Sequence, residues 1–213
     1  MAVMRDTLAQ TEGTLVHSYL FLRRAVGILG TALPAVLILG KLVLQGGPPL
    51  GSISDYVYSD MRSVLIGGMA AIGVFLLSYR GYGRLDDLTT DAAAVGALGV
   101  ALFPTTPFTG QPSHAAQLVG ALHLISAAIF FTASIIYCLF LFTRGDSAQP
   151  TGRKKARNWV YITCGAIMLV SLLSLGVVEW FFGGGGAVLW LESAAVLAFG
   201  IAWLVKGQTI LAD

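Results

Sequence analysis

Residues 115–142 read AAQLVGALHLISAAIFFTASIIYCLFLF, 28 positions with one histidine, His123, and no formal charge. As a helix this stretch is about 42 Å long, more than the roughly 30 Å hydrocarbon core of a bilayer. In lipid its backbone N–H and C=O groups have no water to bind, so the segment must satisfy them itself, as a helix does. Five more apolar stretches flank it, at 25–44, 62–79, 89–103, 158–181 and 187–206. None shows the ten-residue alternation of a β-barrel strand. The expected fold is therefore all-α: a polytopic membrane protein with six transmembrane helices in one bundle. It divides into an N-terminal segment 1–24, a membrane domain 25–206 and a short tail 207–213.

Composition agrees. Of 213 residues, 56% are hydrophobic and 11% charged, with a mean hydropathy of +0.78. A soluble domain carries about 25% charge, and a disordered chain is poor in apolar residues. The net charge of +2 argues against a nucleic-acid partner. Arg5, Arg23, Arg24, Arg80, Arg84, Arg144, Arg153, Lys154, Lys155, Arg157 and Lys206 all fall on one side of the six spans, leaving only Lys41 and Arg62 on the other. The positive-inside rule then puts both termini in the cytoplasm, as for a multi-pass protein of a bacterial inner membrane. No cleavable signal is expected, because the first apolar stretch is too long and no A-x-A-like site follows it. Leu15, Val16, Tyr19 and Leu20 have a helical period and form either a short interfacial helix on the inner leaflet or an extension of the first span.

Small residues at four-residue spacing predict close helix contacts at Gly27 and Thr31, Gly67 and Ala71, Ala92 and Gly96, and Ala194, Ala198 and Ala202. Pro34 predicts a kink. Cys138 and Cys164 face a reducing compartment or lipid and are read as packing residues. Asp91 is placed at the start of the third helix, where a carboxylate suits the N-terminus.

Ionisable groups at membrane depth are costly and are functional candidates. His123 lies roughly 12 Å, and Glu192 roughly 8 Å, inside the outer end of its span. Arg62 opens the second span at the same level, after a loop containing Ser52, Ser54, Asp55, Tyr56, Tyr58, Ser59 and Asp60. Ser54, Asp55, Arg62, His123 and Glu192 are therefore the candidate ligand-binding residues. Arg62 is expected to pair with Glu192 or Asp55, and His123 to bond to either. Such a cluster forms a polar pocket for a lipid headgroup or small polar ligand, or a bonded network that fixes helix register. Glu179 and Asp60 are read as interfacial.

No complete catalytic set is present. G-x-S-x-G, P-loop and G-x-G-x-x-G motifs are absent. His17, His114 and His123 do not suit a bis-histidine heme, and no metal-ligand spacing occurs, so neither cofactor nor metal is expected. Three functions remain in view: a lipid-binding or scaffold protein, an intramembrane lipid hydrolase with His123 as base or ligand, and an accessory subunit that partners other membrane subunits.

The order of motifs resembles the FRAG/DRAM/SFK group of six-helix membrane proteins and related bacterial families. The resemblance rests on Ser52-Ile53-Ser54-Asp55 before the second span, on His123 with Ala127, Phe130 and Tyr137 in the fourth, and on Trp190-Leu191-Glu192 through Trp203 and Lys206 in the last. It covers most of 25–206 and implies a role in membrane-lipid handling, with Ser54, Asp55, His123 and Glu192 as the shared positions. Tyr56-Val57-Tyr58 stands where the group has T-G. A weaker likeness is to membrane hydrolases of the alkaline ceramidase and adiponectin-receptor type. Those have seven helices and three metal-binding histidines, and this chain lacks the H-x-x-x-H pair.

Overall fold

The structure, a computed structural model, describes residues 2–81, 83–144, 152–183 and 185–211. Met1 and the last two residues of the expected tail, Ala212 and Asp213, lie outside them. The described residues form six α-helices: α1 (Ala2–Leu44), α2 (Arg62–Ser78), α3 (Arg84–Leu102), α4 (His114–Ile136), α5 (Gly152–Phe182) and α6 (Gly186–Lys206). A 3-10 turn spans Ser54–Tyr58, and α4 continues into a π-helical turn, Tyr137–Leu141. The segment 15–20 belongs to α1 and forms no separate helix.

Four helical stretches are long and apolar enough to cross a membrane: Tyr19–Leu44, His114–Leu141, Gly152–Phe182 and Gly186–Lys206. The helix α2 is apolar but only 17 residues long. The 19 residues of α3 include Arg84, Asp86, Asp87 and Asp91. The outer surface is the kind that lipid covers. Trp159 and Trp180 of α5 are 69% and 84% exposed. They lie 21 residues apart on one helix, about 32 Å, which matches aromatic belts at the two faces of a hydrocarbon core.

Each helix packs on its neighbours in sequence, and α6 closes the ring against α1. At one end, Arg23 donates to the Lys206 carbonyl at 3.2 Å and Arg24 to the Gly207 carbonyl at 2.9 Å. The start of the first membrane stretch and the end of α6 are thus at the same end of the bundle. Arg23 is buried, with its guanidinium 4.2 Å above the Tyr19 ring. Through its bond to Lys206, and through a 3.4 Å bond to the hydroxyl of Tyr79 just after α2, it ties α1 to α6 and to the end of α2 as well as contributing to charge asymmetry.

This terminal half of the ring is filled by aromatic residues. Trp203 is enclosed by the rings of Tyr79, Tyr137, Phe142 and Phe199. Tyr137 and Phe142 stack at 5.4 Å across the wide π-helical turn. Phe130 meets Phe199 at 4.9 Å and closes off the core towards the other half.

Glycines set the closest helix approaches. A Cβ on Gly200 would lie 2.4 Å from the Thr31 backbone nitrogen and 2.7 Å from the Gly30 carbonyl carbon. A Cβ on Gly96 would lie 2.6 Å from the Phe130 nitrogen. Such distances leave room only for hydrogen, as close packing without a hydrophobic drive requires. The expectation for Gly67 is corrected: nothing lies within 4 Å of its Cβ position, and Gly68 and Gly73 make the α2 contacts, to Leu33 and Leu98. Four-residue spacing fits two adjacent rows of the α2 surface, and the buried row runs through Leu65, Met69, Ile72 and Leu76. Asp91 is also corrected. The helix starts at Arg84, about two turns earlier, with Asp86 and Asp87 in its first turn, and Asp91 pairs with Arg80 at 3.0 Å.

Candidate functional site: a polar clasp under an apolar pocket

At the end opposite the chain termini, three local sequence features bring distant residues together. The first is Ser52-Ile53-Ser54-Asp55, which has the S-x-x-D spacing of a capping box. The Ser52 Oγ accepts from the Asp55 N–H at 2.9 Å, and the Asp55 carboxylate is hydrogen-bonded back to Ser52. This closes the head of the 3-10 turn and points the N–H groups of Ile53 and Ser54 outward from it. Burial pushes the Asp55 carboxyl above its ordinary value, and the Ser52 hydrogen bonds oppose that shift.

The second feature is Pro104. The residue before a proline is driven to extended backbone, so α3 stops at Leu102 and Phe103 adopts φ −102°, ψ 110°. The Phe103 carbonyl therefore leaves the helical ladder and needs a donor. The third is the face of α4 that carries His123, Ala127, Phe130 and Phe131 at spacings of four, seven and eight. His123 is only 3% exposed.

Together these make one chain of bonds. His123 Nδ1 lies 2.7 Å from the Phe103 carbonyl oxygen, and Nε2 lies 3.1 Å from the Ser54 Oγ. A carbonyl only accepts, so Nδ1 carries the proton. Nε2 is then the acceptor for the Ser54 hydroxyl. On the far side of Ser54, the Glu192 Oε2 accepts from the Ile53 N–H at 2.6 Å and the Ser54 N–H at 3.3 Å. The clasp runs from α6 through the 52–58 loop to α4 and the end of α3. Tyr58 extends it by donating to the Thr105 carbonyl.

Above the clasp is a cavity of about 440 Å³, within the range of small-molecule sites. Ser54, Asp55, His123 and Glu192 line its polar side, with Thr105 and Thr106. Leu124, Ala127, Phe131, Val188 and Val196 line its apolar side. Leu124 is 70% exposed, so the apolar wall is continuous with the exposed apolar surface of α4. Glu179 near the end of α5 and Gly183 just after it also line the cavity.

Four of the five candidate residues thus meet at one site. Arg62 does not. It opens α2 with its side chain exposed, and it acts electrostatically on the Tyr58 hydroxyl, outside the cavity lining. The expected pairing of Arg62 with Glu192 or Asp55 is therefore corrected. Two backbone N–H groups at the head of the 3-10 turn bind Glu192, and Ser52 binds Asp55. Lys41, the other basic residue of this end, caps the turn after α1 by donating to the Gly46 and Pro48 carbonyls, both at 2.8 Å.

Sequence reasoning missed three contributors. Glu179, expected at the interface, also lines the cavity. Phe131 shares the face of His123 and Ala127, a relation that the α-helical period of residues 123–131 already contains. The Phe103 carbonyl is a backbone group, and the only sign of it in the sequence is Pro104. Among the described residues no three histidine, cysteine, aspartate or glutamate side chains converge as a metal set. No protein-family model, curated protein or solved structure matches this chain.

Proposed function

We propose that this chain is a six-span membrane protein, both termini cytoplasmic, that binds the headgroup and upper acyl chain of an outer-leaflet lipid in the cavity above the Glu192–Ser54–His123 clasp. The observation that carries this reading is the shape of the cavity. A polar floor, with His123 buried and Ser54, Asp55 and Glu192 half-buried, and an apolar wall meet in one space, and the wall opens at Leu124 towards the exposed apolar surface of α4. A water-soluble ligand has no need of such a wall. A register-fixing network alone has no need of the space.

The closed ring of helices supports the reading of six spans. The helices α2 and α3 are about 26 and 29 Å long, close to hydrocarbon thickness. They pack between α1 and α4, which are long enough to cross. The excess of basic residues at the terminal end supports placing that end in the cytoplasm and the cavity in the outer leaflet. The resemblance of residues 52–55, His123 and Glu192 to a group linked with lipid handling points the same way.

Native mass spectrometry of the full chain released gently from membranes tests the reading. The wild type retains lipid. Ala127→Trp fills the cavity from its apolar wall and loses that lipid. Arg62→Ala, outside the lining, keeps it. Equal lipid retention by Ala127→Trp and the wild type would refute the pocket.

A further inference from the structure

The clasp contains more chemistry than binding requires. Resting on the reading of the cavity as a lipid site, we infer that Ser54 is a nucleophile activated by His123, and that it takes the acyl group of a lipid carboxylic ester. The geometry has the three parts that nucleophilic serine chemistry needs. The Ser54 Oγ is 3.1 Å from His123 Nε2, the nitrogen left unprotonated by the bond at Nδ1. The imidazole is held in that tautomer and orientation by the Phe103 carbonyl at 2.7 Å. Both side chains face the cavity, whose apolar wall of Leu124, Ala127 and Phe131 reaches the lipid side. An acyl chain laid along that wall brings its ester group to the polar floor.

In the step itself, the Ser54 Oγ bonds to the ester carbonyl carbon while His123 Nε2 takes the hydroxyl proton. The tetrahedral centre collapses with cleavage of the bond to the alkoxy oxygen, and His123 returns the proton to that leaving oxygen. Water then adds to the acyl-serine by the same route, releases the fatty acid and restores Ser54. The developing oxyanion needs donors, and those beside the nucleophile are the Ser54 and Ile53 N–H groups. In the resting protein both are held by Glu192. The Ser54 N–H bond is the longer, at 3.3 Å against 2.6 Å. The substrate oxygen takes this donor, and Glu192 keeps its bond to Ile53.

The test treats the purified full chain with a long-chain alkyl fluorophosphonate, which transfers its phosphonyl group to an activated serine with loss of fluoride. Labelling is expected on the peptide containing Ser54. It disappears in Ser54→Ala and slows at least about 100-fold in His123→Gln, the usual contribution of a general base. A wild-type chain that stays unlabelled at Ser54 overturns the inference, as does a His123→Gln variant that labels at the wild-type rate. Native mass spectrometry on the same samples separates the two readings. Lipid retained without labelling removes the chemistry and leaves the binding site, whereas no retained lipid removes the site as well.

Discussion

Glu192→Ala is expected to lower stability by about 3 kcal/mol, because it leaves two backbone donors without an acceptor and each buried unpaired donor costs roughly 1–3 kcal/mol. The Ile53 N–H is the more exposed to this loss, since its bond is 2.6 Å long and Ile53 is buried. Neither group has another acceptor among the described residues, so the loop 52–58 loses its tie to α6 while keeping its capping box. Thermal unfolding in detergent reads the first effect. Amide hydrogen exchange at Ile53 and Ser54 reads the second, with both amides moving from protected to fast. Glu192→Gln keeps an acceptor oxygen and is expected to recover more than half of the loss. An unchanged melting temperature in Glu192→Ala would mean that the clasp does not hold the loop.

Gly200→Leu is expected to be as damaging, for a steric reason. The atoms in the way of its Cβ are the Thr31 nitrogen and the Gly30 carbonyl carbon, both backbone, so no rotamer change relieves them. Helices α1 and α6 must separate, and the cost is about 3 kcal/mol, at the upper end of overpacking penalties. Pro34 adds to the effect, because it offers no N–H to the Gly30 carbonyl and so leaves α1 without that helical bond at the contact point. The matched control is Gly67→Leu. Its Cβ meets nothing within 4 Å, and replacing glycine in a helix recovers about 1 kcal/mol of propensity. The pair should therefore differ by several degrees or more in melting temperature. Equal stability would contradict the α1–α6 contact as described.

Much of the fold was legible because lipid allows few alternatives. Residues 115–142 are too long and too apolar for anything but a spanning helix, and expected and observed helix ends differ by one residue at 114 and 186 and agree at 206. The ends were less legible where the chain turns polar. The helix α3 begins at Arg84, five residues before its apolar stretch, because Asp86 and Asp87 stabilise an N-terminal turn that hydropathy does not register. Which row of a helix faces inward was legible only where large side chains mark it. On α2 they mark Leu65, Met69, Ile72 and Leu76, so Gly68 rather than Gly67 lies beside the core.

The site divides in the same way. Ser54, Asp55, His123 and Glu192 stand out because polar groups at membrane depth need a reason to be there, and the structure brings them together. Their partners do not stand out, because most are backbone. The acceptor for His123 is the Phe103 carbonyl, and the donors to Glu192 are the N–H groups of Ile53 and Ser54. Charge complementarity suggested Arg62 for Glu192. Two oriented N–H groups at the head of a turn meet the same need, with no long side chain to immobilise.

The central claim, that an outer-leaflet lipid lies along α4 and reaches the clasp, is tested most directly by photocrosslinking. A phospholipid carrying a diazirine near the carboxyl end of one acyl chain is incorporated into vesicles with the full chain, irradiated, and its adducts are mapped by mass spectrometry. The account predicts adducts concentrated on Leu124, Ala127 and Phe131 and, in Ala127→Trp, lost from Phe131. Adducts spread evenly over exposed residues such as Val74, Val95, Leu173 and Leu124, unchanged by Ala127→Trp, would contradict it.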